Sequence, residues 1–465
     1  MGIPIQAQHS ASGVPTIFAL ASAPGRSGIA VLRLSGAQCA HVLQALTRRA
    51  LPAPRQAVVR PLYRPSDAAL LDKALILWLP APHSFTGEDM LELHIHGGRA
   101  VLSRVTAALA AFPQLRLAEP GEFSRRGFEN GKFDLTAAEA IADLVQAETE
   151  AQADQALRQM GGALSSLYDA WATQLTACLA HLEASIDFSD DELPPDLAQR
   201  QALALQSLAE AIAAHLADAR RGERLRDGYQ IAIPGPPNAG KSSLLNWLAQ
   251  RDAAIVSAIA GTTRDIVEVS LDLGGYPVVL ADTAGLREAT DSVEQEGIRR
   301  ARQRAQQADL KLLVFDAAAL PELDALTLAQ ADASSIIIIN KADLLTRSSD
   351  DFGLENKQVF RHQPFLVSLR TGDGMAVLLS ALQEQVAGAL QDRGQPSLTR
   401  ARHRSALEEC NACLGQAIRG LAAQPEMALV TEDVRQALRA LGRITGRVDV
   451  EDLLEVIFRD FCIGK

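Results

Sequence analysis

The spacing of apolar and polar positions changes along the chain, and each spacing predicts a different kind of structure. Apolar residues typical of strands dominate four short runs near the start, at 16–21, 29–34, 75–79 and 91–96. The following segment, 99–111, has apolar residues at helical spacing. Strands and a helix in one stretch predict a mixed α+β domain, which we place at residues 1–127.

A long stretch after this domain is composed almost entirely of residues that favour helices. It runs from Leu135 to Arg226 and is dominated by Ala, Gln, Leu and Glu. Thr136 and Glu139 resemble a capping box at its start. The acidic, proline-containing segment 189–195 interrupts the pattern, so we expect two long helices joined by a turn.

Helical patterning returns at 397–461, near the end of the chain. The simplest assembly packs both helical stretches together as one discontinuous domain, formed by residues 128–226 and 386–465. The segment between them is then an insertion. Because both ends of the insert are anchored in the same body, a change inside the insert can move the helices.

The inserted segment alternates apolar runs with polar, glycine-containing sequences. The runs predict buried strands at 231–234, 278–281, 336–339 and 365–367. Residues 266–280 alternate apolar and polar positions around Gly274-Gly275, which predicts a hairpin. We therefore expect a doubly wound α/β domain at 227–385, with ligands at the carboxyl ends of its strands.

The first strand of this domain leads into a phosphate-binding loop. The sequence Gly235-Pro-Pro-Asn-Ala-Gly-Lys-Ser242 lies between a strand and a segment of helical spacing. Its glycines let backbone N–H groups face an anion at a helix N-terminus, and Lys241 can reach the β- and γ-phosphates. The Ser242 hydroxyl is then placed to bind Mg²⁺.

Three later motifs follow strand ends and indicate the nucleotide. Asp282 begins Asp-Thr-Ala-Gly and can hold Mg²⁺ through water. Asp343 ends Asn340-Lys-Ala-Asp, and its carboxylate can accept hydrogen bonds from N1–H and the 2-amino group of guanine. Adenine lacks these donors, so the sequence predicts GTP rather than ATP. The third motif, Ser368-Leu-Arg370, is either a further nucleotide contact or an ordinary loop.

The residues that drive hydrolysis are less evident. Thr263, in Gly261-Thr-Thr-Arg-Asp265, can complete the Mg²⁺ shell. Leu286 occupies the position where many small GTPases have a glutamine that orients the attacking water. Glu294 is a candidate replacement, or else one more solvated carboxylate on a helix. Arg264 and Arg287 are the two arginines that remain open as a finger in cis.

Composition narrows the class of protein. The 465 residues are 48% hydrophobic and 4% aromatic, with no run of about 18 apolar residues, so no membrane span is expected. The start of the chain lacks a secretory signal, and five scattered cysteines fit a reducing cytoplasm. The net charge of −11 disfavours nucleic-acid binding by broad electrostatics, so a partner is expected to supply positive surface if RNA is the substrate.

Several other residues invite a chemical interpretation. Cys410 and Cys413 have CxxC spacing, but they stand in a helical pattern without a second pair, so we interpret them as ordinary thiols. His94 and His96 alternate on one strand and are interpreted as strand residues rather than metal ligands. Cys462 lies three residues before a terminal lysine, and is either a reactive thiol or part of a frayed tail.

Taken together, these motifs closely resemble the bacterial and organellar tRNA modification GTPases of the MnmE (TrmE) family. The resemblance extends over essentially the whole chain. Its specific marks are the phosphate loop through Ser243, the segments 261–265 and 282–287, and the terminal Phe-Cys-Ile-Gly-Lys. The N-terminal segments 23–28, 84–89 and 120–124 match as well. Ribosome-assembly GTPases share the nucleotide motifs but lack this tail and this N-terminal domain.

The resemblance implies a second site in the N-terminal domain. In the family this domain forms dimers and binds 5-formyl- or methylene-tetrahydrofolate as a one-carbon source. Arg33, Glu92 and Lys132 match the folate contacts, and Lys465 matches a further contact from the tail. Cationic side chains suit the glutamate carboxylates of folate, and a glutamate suits the N–H edge of the pterin. Cys462 matches the cysteine that the family needs near this site.

The resemblance also implies a complete nucleotide site. Its expected GTP contacts are Asn238, Ala239, Gly240, Lys241, Ser242, Ser243, Ser257, Thr262, Thr263, Asp282, Thr283, Ala284, Gly285, Asn340, Lys341, Asp343, Ser368, Leu369 and Arg370. Two positions depart from the common family pattern. Ser368-Leu-Arg370 replaces Ser-Ala-Lys or Ser-Ala-Arg, and Pro236 stands where arginine is frequent.

The family relies on K⁺, which can act electrostatically as an arginine finger does. Asn238 matches its ligand, and Ser257, Ile259 and Thr262 fall in the loop that wraps the ion. Glu294 matches the glutamate that orients water. The family acts as a homodimer with an FAD-dependent MnmG (GidA) partner, in a heterotetramer or larger complex that modifies the wobble uridine of tRNA. The competing hypothesis is a regulatory or ribosome-assembly GTPase that binds RNA without altering it.

Overall fold

The computed structural model describes most of the chain. The described residues are 13–187, 197–251, 254–255, 268–282, 308–345, 363–391, 394, 396–423, 427–448, 451–459 and 461–464. They form two compact units. The first comprises Met1–Ala142, Gln159–Gln174 and Leu438–Lys465, and the second comprises Asp143–Arg158 and Leu175–Ala437. The three-domain boundaries given above remain a prediction.

A six-stranded sheet forms the body of the first unit. Its strands are β1 (Thr16–Leu20), β2 (Ile29–Ser35), β3 (Ala57–Tyr63), β4 (Leu70–Leu79), β5 (Met90–His96) and β6 (Leu115–Leu117), in the order β3-β4-β5-β2-β1-β6. The accompanying helices are α1 (Cys39–Thr47), α2 (Arg99–Ala110) and α3 (Glu122–Glu129). Alternate residues of the strands pack with α1 and α2 into an aliphatic core. The four predicted strands and the predicted helix are confirmed, while β3, β6, α1 and α3 were not anticipated.

The long helical stretch contains five described helices instead of the two that were expected. They are α4 (Leu135–Gln146), α5 (Glu150–Met160), α6 (Ala163–Asp187), α7 (Leu197–Leu216) and α8 (Arg221–Asp227). The expectation was wrong because local breaks override a uniformly helix-favouring composition. Thr149 and Gln152 bond each other reciprocally at the start of α5. Gly162 has φ +87° between α5 and α6, a conformation that glycine adopts without strain. The predicted turn at 189–195 lies outside the described residues.

The second sheet has seven strands. Its elements are β7 (Tyr229–Ile233), α9 (Lys241–Arg251), β8 (Ala254–Ile255), β9 (Glu268–Leu273), β10 (Tyr276–Asp282), β11 (Leu310–Asp316), α10 (Ala325–Leu328), β12 (Ile336–Asn340), β13 (Phe365–Leu366) and α11 (Met375–Leu390). The order β13-β12-β11-β7-β10-β9-β8 is parallel from β13 to β10. The predicted hairpin is confirmed, since Gly274 and Gly275 have φ +65° and +89° between β9 and β10.

The final helices are α12 (Ala401–Ala423), α13 (Met427–Thr445) and α14 (Glu451–Arg459), which agrees with the predicted helical patterning. Cys410 and Cys413 are buried in α12, and burial raises the pKa of the Cys410 thiol to about 12. Within the described part of the chain, none of the helices combines the length and the apolar character that a membrane crossing requires.

An ion cluster in the second unit joins α8 to α12. The Arg404 guanidinium donates from Nε to Glu223 (3.0 Å), from Nη2 to Asp218 (2.8 Å) and from Nη1 to the carbonyl of Leu216 (2.8 Å). The side chains of Arg404, Asp218 and Glu223 are 16%, 9% and 7% exposed. This cluster, which we call the Arg404 cluster, therefore ties the segment before the second sheet to the segment after it.

The two segments also touch through their backbones. Gly222 in α8 lies so close to residues 397–398 that a Cβ atom there would be 2.3 Å from the carbonyl oxygen of Leu398. Arg221 donates to the Ser397 hydroxyl at 2.7 Å. Only glycine permits so close an approach. The segments that lead to and from the second sheet therefore lie side by side.

Candidate functional site

The loop between β7 and α9 has the geometry that the sequence predicted for a phosphate-binding loop. A Cβ atom at Gly235 would lie 2.4 Å from the carbonyl oxygen of Val314, and one at Gly240 would lie 2.2 Å from the Asn340 amide nitrogen. Both glycines are therefore required by close approach of neighbouring strand ends. Lys241, at the start of α9, donates to the carbonyls of Gly235 (2.8 Å) and Pro236 (2.9 Å). Its ammonium group thus lies inside the curl of the loop.

Asn340 connects this loop to the segment after β13. Its amide nitrogen donates to the carbonyl of Ala239 at 2.9 Å, and its amide oxygen accepts from the N–H of Leu369 at 3.3 Å. The residue is 3% exposed, so it acts as a bracket between two loops rather than as a free surface group. Ser368-Leu-Arg370 accordingly belongs to the same constellation.

Asp343 lies beside this bracket. One carboxylate oxygen accepts from the Ser368 hydroxyl (2.6 Å), and the other pairs with the Arg370 guanidinium (2.8 Å). The Ser368 hydroxyl, followed by the charge of Arg370, holds the pKa of Asp343 below its usual value. The carboxylate therefore stays ionised at neutral pH, as recognition of a guanine N–H edge requires.

These segments line one open cleft of about 870 Å³ at the carboxyl edge of the sheet. The predicted residues that line it are Asn238, Gly240, Lys241, Ser242, Ser243, Asn340, Lys341, Asp343, Leu369 and Arg370. Asp282 ends β10 in register with Ile233 of β7, so its backbone stands at the same edge. Ala239 and Ser368 are buried beside the cleft through the bonds described above. The cleft suits a nucleotide with its phosphates toward the glycines and its base toward Asp343.

Other predicted nucleotide and ion residues lie outside the described residues. They are Ser257, Ile259, Thr262, Thr263, Thr283, Ala284, Gly285 and Glu294. Their roles remain predictions. Lys465 of the predicted folate site lies outside the described residues as well.

Asp316 is a residue of this site that was missed at the level of sequence. It ends β11, accepts from the Ala318 N–H (3.0 Å), and pairs with the Lys341 ammonium at 2.6 Å. Burial raises the pKa of Asp316, but the hydrogen bonds from Lys341 and Ala318 and the charge of Lys341 together outweigh it and leave the pKa lowered. The available signal was an aspartate at the end of an apolar run, the position that also marked Asp282.

We expect Asp316→Asn to weaken GTP binding by roughly three- to tenfold while the turnover number stays close to wild type. Asparagine can still accept from Ala318, so the turn is kept, but the charge that fixes Lys341 is lost. Equilibrium binding and steady-state kinetics separate the two effects. Asp332→Asn is the matched control, since it removes an ion pair with Lys311. Equal losses in the two variants would contradict a role for Asp316 in positioning Lys341.

The first unit contains the other predicted site. Arg33 of β2 and Glu92 of β5 are cross-strand neighbours, and their side chains pair at 3.0 Å. The Arg33 guanidinium lies 5.7 Å from the ring centre of Phe85 and 5.9 Å from that of Phe123. The side chains of Arg33 and Glu92 are 18% and 15% exposed, and aromatic rings lie beside them. The pair therefore offers both a cation and a hydrogen-bond acceptor to a planar polar ligand.

Lys132 contacts the loop that carries Phe85. Its ammonium donates to the carbonyl of Pro82 at 2.8 Å, and its stem would lie 3.2 Å from a Cβ atom at Gly87. Lys132 and Arg33 therefore approach the same loop. Of the four residues predicted to bind folate, Arg33 and Glu92 pair directly, and Lys132 contacts the same loop as Arg33.

The C-terminal segment packs against this site, so the frayed-tail interpretation is wrong for residues 461–464. Phe461 is 6% exposed, and Ile463 forms a β-bridge with Pro120. The carbonyl of Gly464 accepts from Arg33 at 3.4 Å. The Cys462 side chain is exposed, while its carbonyl accepts from the Gly121 N–H at 3.4 Å. The tail thus presents the Cys462 thiol to solvent, two residues before the carbonyl that Arg33 contacts.

Both histidines of β5 contact carboxylate side chains. His94 contacts Glu92 at 3.3 Å, and His96 contacts Asp72 at 2.8 Å. Across the ranges that the structure covers, no three His, Cys, Asp or Glu residues are grouped as metal ligands.

Three features define the class of this protein: the parallel strands β13 to β10, the glycine loop at their carboxyl edge, and Asn340 with Asp343 beside that loop. This is a P-loop GTPase. Comparisons with known proteins extend this to the whole chain. A family model described as "MnmE helical domain" matches residues 135–462, and one described as "GTP-binding protein TrmE N-terminus" matches residues 16–132.

Full-length relatives agree. The "tRNA modification GTPase MnmE" of Parvibaculum lavamentivorans is 54% identical over 97% of this chain and 100% of its own. The MnmE of Rhodospirillum rubrum is 53% identical, with 97% and 100% coverage. The human mitochondrial "5-taurinomethyluridine-[tRNA] synthase subunit GTPB3" is 46% identical, covering 97% and 93%. The chain belongs to the MnmE (TrmE) family of tRNA modification GTPases, and it is a GTP hydrolase.

Proposed function

We propose that this protein is the K⁺-stimulated GTPase subunit of a complex that modifies the wobble uridine of tRNA. With an FAD-dependent MnmG-type partner, it adds aminomethyl or carboxymethylaminomethyl groups to C5 of that base. Tetrahydrofolate supplies the one-carbon unit, and GTP hydrolysis drives a conformational cycle of the homodimer. The observation that carries this proposal is the seating of the C-terminal tail on Arg33, because ribosome-assembly GTPases have neither this tail nor this domain.

The nucleotide site supports the hydrolytic half of the proposal. Asp343 accepts the N–H edge of guanine, Lys241 neutralises the β- and γ-phosphates, and Ser242 with Thr263 holds Mg²⁺. Asn238 lines the cleft and has φ +63°, a left-handed backbone conformation that asparagine tolerates better than most residues. In this proposal it shares K⁺ with Ser257, Ile259 and Thr262, and Glu294 orients the attacking water.

The site in the first unit supports the modification half. A folate carries carboxylates at one end and N–H groups on its pterin ring. Arg33, Lys132 and Lys465 provide cations for the first, and Glu92 provides an acceptor for the second. The exposed Cys462 thiol lies on the tail whose Gly464 carbonyl Arg33 contacts.

The ion requirement gives the direct test. We expect GTP turnover in NaCl to fall at least roughly tenfold below turnover in KCl at equal ionic strength, since K⁺ supplies the charge of an arginine finger. Dimerisation in the presence of GTP should follow the same ion preference in light scattering. Wobble-base analysis of tRNA from cells lacking the protein completes the test. Ion-independent turnover would remove the K⁺ site, and an unaltered wobble base would favour a regulatory GTPase.

A further inference from the structure

The first 66 residues of this acidic protein carry no acidic residue at all. They contain seven arginines and neither Asp nor Glu, whereas the whole chain has a net charge of −11. Arg33 forms an ion pair with Glu92, as described above. Five of the others fall within one short segment, at positions 48, 49, 55, 60 and 64. Such a local excess needs a physical reason, because a solvated face of an acidic protein ordinarily mixes both signs.

The fold gathers this segment around the free edge of the first sheet. Strand β3 is the edge strand, and the C-terminal end of α1 packs beside it. Arg60 of β3 donates to the carbonyl of Ala50 at 2.6 Å, and the Arg48 guanidinium lies 5.2 Å from the ring centre of Tyr63. Arg55, just before β3, donates to the carbonyl of His83. Arg48, Arg49, Arg55 and Arg60 form what we call the β3 arginine surface.

These four charges are not neutralised by acidic side chains. Arg55 and Arg60 contact carbonyl oxygens and Arg48 contacts an aromatic ring, and among the described residues none of the four arginines has a carboxylate within 4.0 Å. Three other arginines of the same unit differ. Arg64 pairs with Asp67, and Arg116 and Arg126 pair with Glu122. The helix dipole favours cations at the end of α1, which accounts for Arg48 and Arg49 but not for the two arginines outside the helix.

The spacing suits a polyanion rather than a single anion. Arg55 lies in the turn before β3, with φ +62°, and Arg60 lies within β3; their guanidinium groups contact different places, the carbonyls of His83 and Ala50. Arg49 and Arg55 are exposed, so an extended partner can reach them. Guanidinium groups fixed by neutral contacts keep their charge and lose little freedom on binding phosphate.

We propose that the β3 arginine surface binds the phosphate backbone of tRNA. The choice of RNA rests on the proposed function, since the relatives of this chain are tRNA modification GTPases. For a protein with a net charge of −11, attraction to RNA has to come from a local patch. The surface fixes where tRNA lies on the first unit; phosphate contacts position the tRNA and carry no sequence information.

The test measures binding of unmodified tRNA by the full-length chain, using fluorescence anisotropy across a range of KCl concentrations. We expect Arg48→Gln/Arg49→Gln to weaken binding about tenfold and to make the salt dependence shallower by roughly one to two ions. The lysine pair Arg48→Lys/Arg49→Lys should restore most of the affinity. The control, Arg99→Gln/Arg104→Gln, removes two exposed arginines of α2 in the same domain and should stay within twofold.

Each outcome separates this surface from the proposed function. Equal losses in the test and control variants would show a general effect of net charge and would overturn the surface. The proposed surface would also be refuted if the wild-type chain bound no tRNA at low salt. It would be refuted as well if the substitutions weakened binding to phosphatidylglycerol vesicles but not to tRNA. GTP turnover should be unchanged in every variant. A wobble base that stays modified without the protein would refute the proposed function, while a measured loss of tRNA binding would still stand.

Discussion

Replacing Asp343 by asparagine is expected to reduce GTP affinity about 100-fold or more. The carboxylate is placed by Ser368 and Arg370, and both of its oxygens face hydrogen-bond donors. Guanine presents two N–H donors to such a carboxylate. An asparagine side chain retains one acceptor and turns an N–H₂ donor toward one of them, so one bond is lost and two donors oppose each other.

The same substitution should change which base is preferred. Xanthine has an oxygen where guanine has its 2-amino group, and an amide donor suits that oxygen. We therefore expect the variant to bind XTP more tightly than GTP, with the phosphate contacts of Lys241 unaltered. Titration with both nucleotides measures the reversal.

Glu384→Gln is the matched control for this substitution. Glu384 is an exposed carboxylate on α11 in the same unit, away from the cleft, and its loss should leave GTP affinity unchanged. If Asp343→Asn kept wild-type preference for GTP, the base would have to be recognised elsewhere. The assignment of Asp343 would then be wrong.

The second large effect is expected from Arg404→Ala, which should destabilise the second unit by about 3 kcal/mol. Truncation leaves Asp218 and Glu223 buried without their shared cation and removes the donor to Leu216. For a unit of this size the melting temperature should fall by roughly 6–12 °C. Differential scanning calorimetry of the full chain measures the shift.

Arg435→Ala is the matched control, since Arg435 also bridges two carboxylates, Glu183 and Glu432, but in an exposed setting. All three side chains of that group are 38–46% exposed, so the shift should be less than a third of the one above. Equal shifts in the two variants would mean that burial gives the Arg404 cluster no special weight.

The stabilising contribution of the Arg404 cluster should also be lost in acid. Burial raises the pKa of Glu223, but hydrogen bonds from Arg220 and Arg404 outweigh it and leave the pKa lowered. A carboxyl with a lowered folded pKa stabilises the protein above its unfolded pKa of about 4.5, and loses that contribution as the pH falls further. The difference in stability between wild type and Arg404→Ala should therefore shrink below pH 4.5.

Sequence reasoning succeeded where chemistry and secondary structure coincide. Asn340 and Asp343 were found because a strand end, a motif and a base-recognising carboxylate occupy adjacent positions. Asp316 was missed because its function depends on Lys341, which is 25 residues away, just after the end of the next strand β12. Arg404 was missed for the same reason, since its partners lie 181 and 186 residues earlier. Pairings of this kind are set by topology and leave no periodic trace in the chain.

The helical stretch shows the opposite limit. Its composition favours helix so uniformly that propensity alone offered no reason to stop at Gly162 or Thr149. A single left-handed glycine and one reciprocal pair of side-chain bonds decided those ends. Strongly helical composition therefore predicts helix content better than helix number.

The contact between Gly222 and Leu398 has a consequence for how this architecture can change. Residues 223–397 leave and rejoin the rest of the chain at one place, so the two ends of this insertion are held together. Loops within this insertion can therefore change in length or sequence without altering the distance between its two ends. Position 222 has to stay glycine for this to hold, because a side chain there would meet the carbonyl of Leu398.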